Sequence, residues 1–491
     1  MIERQIGQLS REEKQVVEVA SVVGYEFSAA PIAAVLDLPV TTVETYCDDL
    51  VRRGRMLSAP AVPVVSEDPT VGYYSFRHAL YQAVLYDSLI PGRRLRLHSR
   101  IGTSEEQRYG ERAREYAAIL AHHFEEGRDY PRAVEYLRFA AQQSLQRFAA
   151  REAGVYYQRA LTLLAYTPES TERSENEMRL QLALGRTLMG TKGYADPAVE
   201  IAFSRVRELN LRMGVSTLQF AALAGLWGFY FMRANLKIAE DLAQQLVHQA
   251  MQDDEVMTRT EAYFAVGSTA LYSGEVQKAR QAFETGAELS SAQPEQALAA
   301  RVVQHPGAAS ASYLAWTLWF LGFPEQSLQC NQGALQRAQH LAHPFTQAVA
   351  IDLAVTLHQC RHELESLQAH ALELEQIAIK HEYPLWLMTS RIGQGWVLVQ
   401  QGQHEKGLTQ MQYGIAAMRQ AGAAVSLTYY LTILAEAQSL AGQWQEGLTS
   451  LAEAMQLVQQ HGEHFYEAEI YRVKGELLLA QQSKRKNSKG R

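Results

Sequence analysis

Gln401-Gly402-Gln403-His404-Glu405-Lys406-Gly407-Leu408 and Ala441-Gly442-Gln443-Trp444-Gln445-Glu446-Gly447-Leu448 decide the fold. Their leading glycines lie 40 positions apart, and each is followed five residues later by a second glycine. Ser273 to Arg280 and Leu321 to Leu328 repeat the arrangement, with Ala279 and Ser327 as the small residue. Gly322 to Gly402 spans 80 positions, which leaves room for a divergent copy near Cys360 to Leu367. Gly274 to Gly322 spans 48, so an insertion is expected around Pro294 to Pro306. An earlier copy is read at Arg233 to Ala239. A period near 40 with two helices per period describes an α-solenoid of the tetratricopeptide class with lengthened helices. Each small residue is expected where the second helix crosses the first, because a larger side chain would push the pair apart. Phe283, Trp316, Trp319, Trp396 and Met411 are expected to fill the seam.

Upstream of this repeat, helix follows helix from about Glu111, rich in Ala, Leu, Gln and Glu with apolar spacings of three and four. The first ~100 residues read differently. Ser10 and Glu13 form a capping-box signal for a helix that ends at Gly24. Pro31 to Leu38 reads as a second helix. Thr41 or Thr42 is expected to cap a third, with Val43, Tyr46, Cys47 and Leu50 on one face and closure at Gly54. Met56-Leu57, a proline-rich loop at 60–69 and the alternating run Val71 to Phe76 follow, predicting a two-stranded hairpin. Three short helices and a hairpin form a winged-helix pattern. A long charged helix is expected from about His78 through Arg93, Arg94 and His98. The fold class is therefore all-α: a winged helix with its trailing helix over 1–100, a tetratricopeptide-like solenoid over 101–482, and a basic, disordered tail over 483–491.

Composition narrows the function. The 491 residues carry 46 basic and 53 acidic side chains, a balance that argues against a dedicated nucleic-acid coat. The cysteines Cys47, Cys330 and Cys360 are odd in number and far apart, so no disulfide framework or CxxC zinc site follows. Leu218 to Met232 and Ser310 to Phe323 are too short to span a membrane, and the charged start MIERQIGQLSREEK lacks the apolar core of a signal peptide. A cytoplasmic protein without a membrane partner is expected.

No motif supplies catalysis. Gly185 to Lys192 approaches a phosphate-binding loop, but its last two residues are inverted and a helical segment precedes it, so an inter-helix turn is expected. His358 and His362 have the spacing of two metal ligands on one helix face, yet Cys360 points away and no third ligand is evident. His122-His123 is a weaker pair still. Glu363/Glu365 and Glu373/Glu375 read as solvated charges. Trp227, Phe229, Tyr230 and Phe231 read as solenoid core, with a binding groove as the other reading. Arg52, Arg53 and Arg55 end the third helix where a DNA reader would place phosphate contacts, but Glu44, Asp48 and Asp49 on its polar side oppose phosphate. No catalytic residue, metal ligand or cofactor is assigned from these patterns.

Several stretches together resemble the bacterial STAND class of signalling proteins. They are Val22-Val23-Gly24-Tyr25-Glu26-Phe27, then Phe76-Arg77-His78-Ala79-Leu80-Tyr81-Gln82 with Tyr86, Arg94 and His98, then Leu226 to Tyr230, Tyr313 to Trp319, His343-Pro344-Phe345 and Tyr471 to Leu478. The resemblance implies a nucleotide-switch ATPase domain followed by a winged helix and a tetratricopeptide-like sensor, in some members with an adenylate/guanylate cyclase or kinase domain. The phosphate-binding motifs of that class lie upstream of the winged helix, where this chain begins. The chain is accordingly read as the helical half of such a protein, with a split gene, a fragment and a stand-alone derivative all open. By resemblance alone, His78 is the candidate cofactor-binding residue, sensing the nucleotide diphosphate.

The expected function is non-catalytic: protein recognition on the concave face of the stacked helix pairs, coupled to an ATPase domain in cis or trans. A DNA-binding regulator and an enzyme with a site hidden in the solenoid are the competing readings.

Overall fold

The computed structural model describes residues 2–59, 71–214, 218–252, 255–291 and 304–489. The proline-rich loop at 60–69 lies outside them, as does the stretch around Pro294 where the insertion was expected. Two compact units divide at 180/181, within one helix.

The first unit opens with α1 (Ile2–Ile6) and α2 (Arg11–Val23). The capping box is present: Glu13 N–H donates to Ser10 Oγ at 3.1 Å and Ser10 N–H to Glu13 Oε2 at 2.8 Å. Strand β1 (Glu26–Ser28), α3 (Ala29–Leu36), α4 (Val40–Arg52), β2 (Leu57–Ser58) and β3 (Tyr73–Phe76) follow. The strands form one antiparallel sheet in the order β1-β3-β2. The sequence reading found β2 and β3 but missed β1, whose three residues are too few for their alternation to register. It also placed the α4 cap at Thr41 or Thr42; the cap is Pro39, two or three residues earlier, without a side-chain hydrogen bond. Val16, Phe27, Ile32, Val43, Cys47, Leu50 and Phe76 form the buried core of this module.

The long charged helix is two helices, α5 (Ala79–Ser88) and α6 (Pro91–Tyr109). Pro91 sets the break, because a proline disfavours helical geometry in the residue before it and serves well at a helix start. A 3₁₀ turn (Gly110–Tyr116) leads to α7 (Ala117–Glu126), α8 (Tyr130–Gln146), α9 (Ala150–Leu164) and α10 (Thr171–Thr191). Among the described residues every strand lies before residue 77.

The second unit is an all-α array of antiparallel pairs. It continues with α11 (Pro197–Met213), α12 (Gln219–Met232), α13 (Leu236–Ala250), α14 (Val256–Tyr272), α15 (Val276–Ser291), α16 (Pro306–Phe320), α17 (Pro324–Leu341) and α18 (Pro344–Cys360). The array ends with α19 (Leu364–Lys380), α20 (Pro384–Gln400), α21 (His404–Gln420), α22 (Leu427–Leu440), α23 (Trp444–His461) and α24 (Glu467–Lys489). The basic stretch read as a disordered tail is thus helical through Lys489.

One local rule builds the pairs. The first helix ends on a residue of positive φ, and a small buried residue follows five positions later in the second helix. Gly274, Gly322, Gly402 and Gly442 have φ of 76–84°, and Ala279, Ser327, Gly407 and Gly447 are buried at the crossings. The divergent copy obeys the turn half of the rule, with His362 at φ 56°, but buries Leu367. The rule also reaches pairs the sequence reading missed. Arg128 (φ 58°) precedes Ala133 and Phe148 (φ 60°) precedes Ala153, both fully buried. A residue with a Cβ is strained in this conformation. Arg128 is exposed, so Arg128→Gly is expected to stabilise the first unit by about 0.5 kcal/mol, the relief of strain less the added chain entropy of glycine. Thermal unfolding of the two proteins side by side measures it.

Candidate functional site

The first helices of successive pairs in the second unit form its inner layer. Helices α12, α14, α16, α18 and α22 are predominantly apolar and buried on most sides, as enclosed helices are. The inner side of the array, where protein recognition was expected, is largely occupied. Trp316 contacts Tyr272, Tyr429 and Phe465 at ring separations of 6.0, 6.2 and 5.2 Å. Two backbone clamps tie distant pairs together. Ala424 and Val425 N–H groups donate to Met232 O at 2.8 and 3.1 Å, and His464 and Phe465 donate to Tyr272 O at 2.9 and 3.3 Å. Tyr272 Oη lies 2.9 Å from Ser426 Oγ. The buried Glu463 carboxylate joins the clamps by accepting from Ser426 N–H at 3.3 Å and from the Thr428 hydroxyl.

A few ionisable groups face this enclosed layer. Burial pushes the Asp352 carboxyl up to about 6, against the opposing hydrogen bond from Thr389. Burial likewise raises Glu463 to about 7 and lifts Glu261, whose shift Arg186 partly opposes. Tyr429 Oη donates to Gln359 Oε1 at 3.0 Å.

Two cavities stand out among the described residues. One of about 500 Å³ in the first unit lies between α8 and the start of α10, lined by Arg132, Arg138, Arg173 and Arg179 among others. Arg132 is held by Asp129 and Glu106, and Arg138 lies over the Phe139 ring. The other, of about 350 Å³, lies in the second unit where the ends of α16 and α18 meet α22 and the start of α24. Trp319, Phe320, Phe465 and Tyr466 supply its rings, and Glu436 and Glu469 its charges.

The sequence candidates scatter. Gly185 to Thr191 is the last stretch of α10 rather than a turn; the turn comes after it, at Gly193 (φ 94°). His358 and His362 do not share a helix face, because α18 ends at Cys360 and His362 occupies the turn. His358 Nδ1 lies 2.7 Å from Glu363 Oε2, and its ring stacks on His370 at 5.2 Å. Glu363, expected to be solvated, also accepts from Arg361 Nε at 2.8 Å, and Glu375 accepts from Gln394 Nε2 at 3.0 Å. Among the described residues no three histidine, cysteine or acidic side chains are grouped to hold a metal ion. Trp227 is core: its Nε1 donates to Thr269 Oγ1 at 3.0 Å and its ring stacks on Phe231 at 5.2 Å. Arg52 pairs with Asp49 at 2.6 Å and Arg53 with Glu13 at 2.8 Å, so two of the three arginines are tied into the module. His78 is exposed at the start of α5, and its Nδ1 accepts from Leu80 N–H at 3.1 Å.

One cluster escaped the sequence reading. His98 Nδ1 and His123 Nδ1 lie 3.0 Å apart in the core of the first unit, and Tyr86 Oη lies 3.0 Å from His98 Nε2. His122 meets the His98 ring edge-on at 5.4 Å. The adjacent histidines 122 and 123 diverge along their helix, so the partner that matters is 25 residues away and left no local pattern. Burial and the neighbouring histidines lower His98 to about 4 and His123 to about 3. Among the described residues no helix is long and apolar enough to cross a membrane.

No family model matches the chain. It is 22% identical over 477 residues to the uncharacterized protein R02095 of Rhizobium meliloti (strain 1021), covering 97% of this chain and 46% of that protein. The chain thus spans about half the length of the curated relative it matches. Among solved structures it is similar to a Rap protein complexed with competence and sporulation factor, at a TM-score of 0.46 and 15% identity over 73% of this chain and 99% of that one. It is also similar to a signal transduction ATPase with numerous domains, with a tetratricopeptide repeat sensor, from Pyrococcus horikoshii. There the TM-score is 0.36 and the identity 14%, over 97% of this chain and 66% of that one.

Proposed function

We propose that the chain is a protein-interaction scaffold and sensor, the regulatory helical-repeat half of a bacterial signalling ATPase. The observation that carries this reading is the stack of helix pairs built on one turn-and-crossing rule, an architecture whose neighbouring units create extended surfaces for recognising other proteins. Residues 1–100 are read as a winged helix and 101–482 as the solenoid. The order helix-strand-helix-helix-strand-strand and the β1-β3-β2 sheet support the first assignment. In this reading a partner held by the solenoid biases a nucleotide switch in an ATPase domain, carried in cis or in trans. The exposed His78 is free to meet that domain from the surface. Because the inner layer is largely filled, the partner is taken at the rim cavities and outer faces.

The test uses the full chain with a photo-crosslinking residue at exposed outer positions such as Tyr413 and Leu372. Irradiation in the native host is expected to yield a discrete adduct, and the crosslinked protein, once purified, to bind the chain saturably. The absence of saturable protein binding, together with salt-sensitive retention on duplex DNA, would overturn the reading in favour of the DNA-binding regulator.

A further inference from the structure

The 350 Å³ cavity of the second unit has a chemistry that the scaffold reading does not require. Its size suits a single side chain or small ligand, near the lower end of the usual range of about 300–1,000 Å³. Phe320 stands edge-on to Phe465 at 5.8 Å and to Tyr466 at 6.2 Å. Trp319 completes the aromatic wall and already takes a guanidinium: the Arg361 head group lies 5.8 Å from its ring centroid.

The charge around this wall is negative and unevenly satisfied. Arg472 alone serves three carboxylates. It reaches Glu436 at 2.6 Å, Glu476 at 2.6 Å and Glu469 through Nε at 2.7 Å. Arg361 is matched by Glu363. Four carboxylates therefore face two guanidiniums. Arg472 meets both cavity carboxylates through Oε1, and among the described residues Oε2 of Glu436 and Oε2 of Glu469 accept no hydrogen bond. The C-terminal ends of α16 and α18, at Phe320 and Cys360, both reach the cavity and bring the negative ends of their helix dipoles to it. Burial pushes the Glu436 carboxyl up to about 7, with the neighbouring Glu469 adding to the shift and Arg472 opposing it.

We propose that this cavity binds a guanidinium group, presented as an arginine side chain by a protein partner. A flat, weakly hydrated cation stacks on aromatic faces and donates in a fork to carboxylate oxygens, so it uses both halves of the site at once. A lysine ammonium would satisfy the carboxylates but not the stacking geometry. The identification of the partner as a protein rests on the scaffold reading; the cation site itself does not.

The experiment is calorimetric titration of the full chain with acetyl-arginine amide, with acetyl-lysine amide, and with acetyl-citrulline amide, which keeps the shape and removes the charge. Arginine is expected to bind at least about tenfold more tightly than citrulline and more tightly than lysine. Glu469→Gln and Trp319→Leu are each expected to weaken arginine about tenfold while circular dichroism confirms unchanged helicity. Equal binding of citrulline, or undiminished arginine binding in both variants, would overturn the proposal. Free guanidinium chloride binding as tightly as the amide would assign the site to a small-molecule cation instead. If the arginine amide binds as expected but no protein partner is captured, the scaffold reading fails and the site stands. If a partner is captured equally well by Glu469→Gln, the site fails as its anchor and the scaffold stands.

Discussion

Gly407→Leu is expected to destabilise the second unit by about 3 kcal/mol, the upper part of the range for forcing extra atoms into a packed core. A Cβ at Gly407 would sit 2.5 Å from Gly395 O and 2.9 Å from Val399 N, and both are backbone atoms that no rotamer change can move. Gly395 faces the same crossing, and a Cβ there would lie 2.8 Å from Gly407 O. The backbones of α20 and α21 thus touch directly, and a leucine must part the helices or distort one of them. The loss would spread, because α20 buries Ile392 and Trp396, and α21 buries Met411 and Ile415, along the same pair. Gly333→Ala is the matched control. It lies mid-helix with nothing within 4 Å of its added Cβ, so it is expected to stabilise by up to about 1 kcal/mol through helix propensity. Urea unfolding followed by circular dichroism reads both. Equal midpoints for Gly407→Leu and the parent chain would show that the crossing is not tight.

That crossing was legible in advance because a glycine or alanine at a fixed offset is a pattern in one dimension. So were Ala279 and Ser327, and so was the capping box at Ser10. The signal faded wherever the turn position held a residue with a side chain. Arg128 and Phe148 adopt the same left-handed turn as Gly402, but their identity says nothing of it, and two helix pairs went unread. The filled inner layer was illegible for a different reason. Its clamps join Met232 to Ala424 and Tyr272 to His464 across long sequence separations, and the bonds are made by backbone groups that every residue possesses. The aromatic and acidic cavity was hidden in the same way. Trp319 and Glu436 lie on two separate helices and Phe465 in the turn before α24, and no local pattern joins them.

The two units are expected to respond to acid in opposite directions. In the first, burial holds His98 and His123 at about 4 and 3, well below the 6.5 of a free histidine. The unfolded chain therefore binds more protons than the folded one below about pH 6.5, and the contribution of the pair is lost as pH falls from there toward 4 and 3. Facing this pair are His122 and Arg94, both unfavourable to a further positive charge, and the Tyr86 hydroxyl, which is neutral in this range. In the second unit Glu463 and Glu436 are raised to about 7 and Asp352 to about 6, from 4.5 and 3.8. There the folded chain binds more protons, so stability is fullest below about pH 4 and is lost as pH rises through 6 and 7. The shifts correspond to roughly 3 kcal/mol at His98 and roughly 5 kcal/mol at His123 at full protonation, enough to show as local opening well before global unfolding. Hydrogen exchange at about pH 5 and about pH 7.5, corrected for intrinsic rates, separates the units. Amides of α6 and α7 are expected to lose protection at the lower pH, while those of α22 and the 462–466 turn gain it. His123→Gln should flatten the first response and leave the second. Glu463→Gln should leave the first response and reduce the second at the 462–466 turn, since an amide keeps the shape of the clamp but no longer needs a proton to sit there. A change of the same sign in both units would mean that burial at these groups is relieved by solvent.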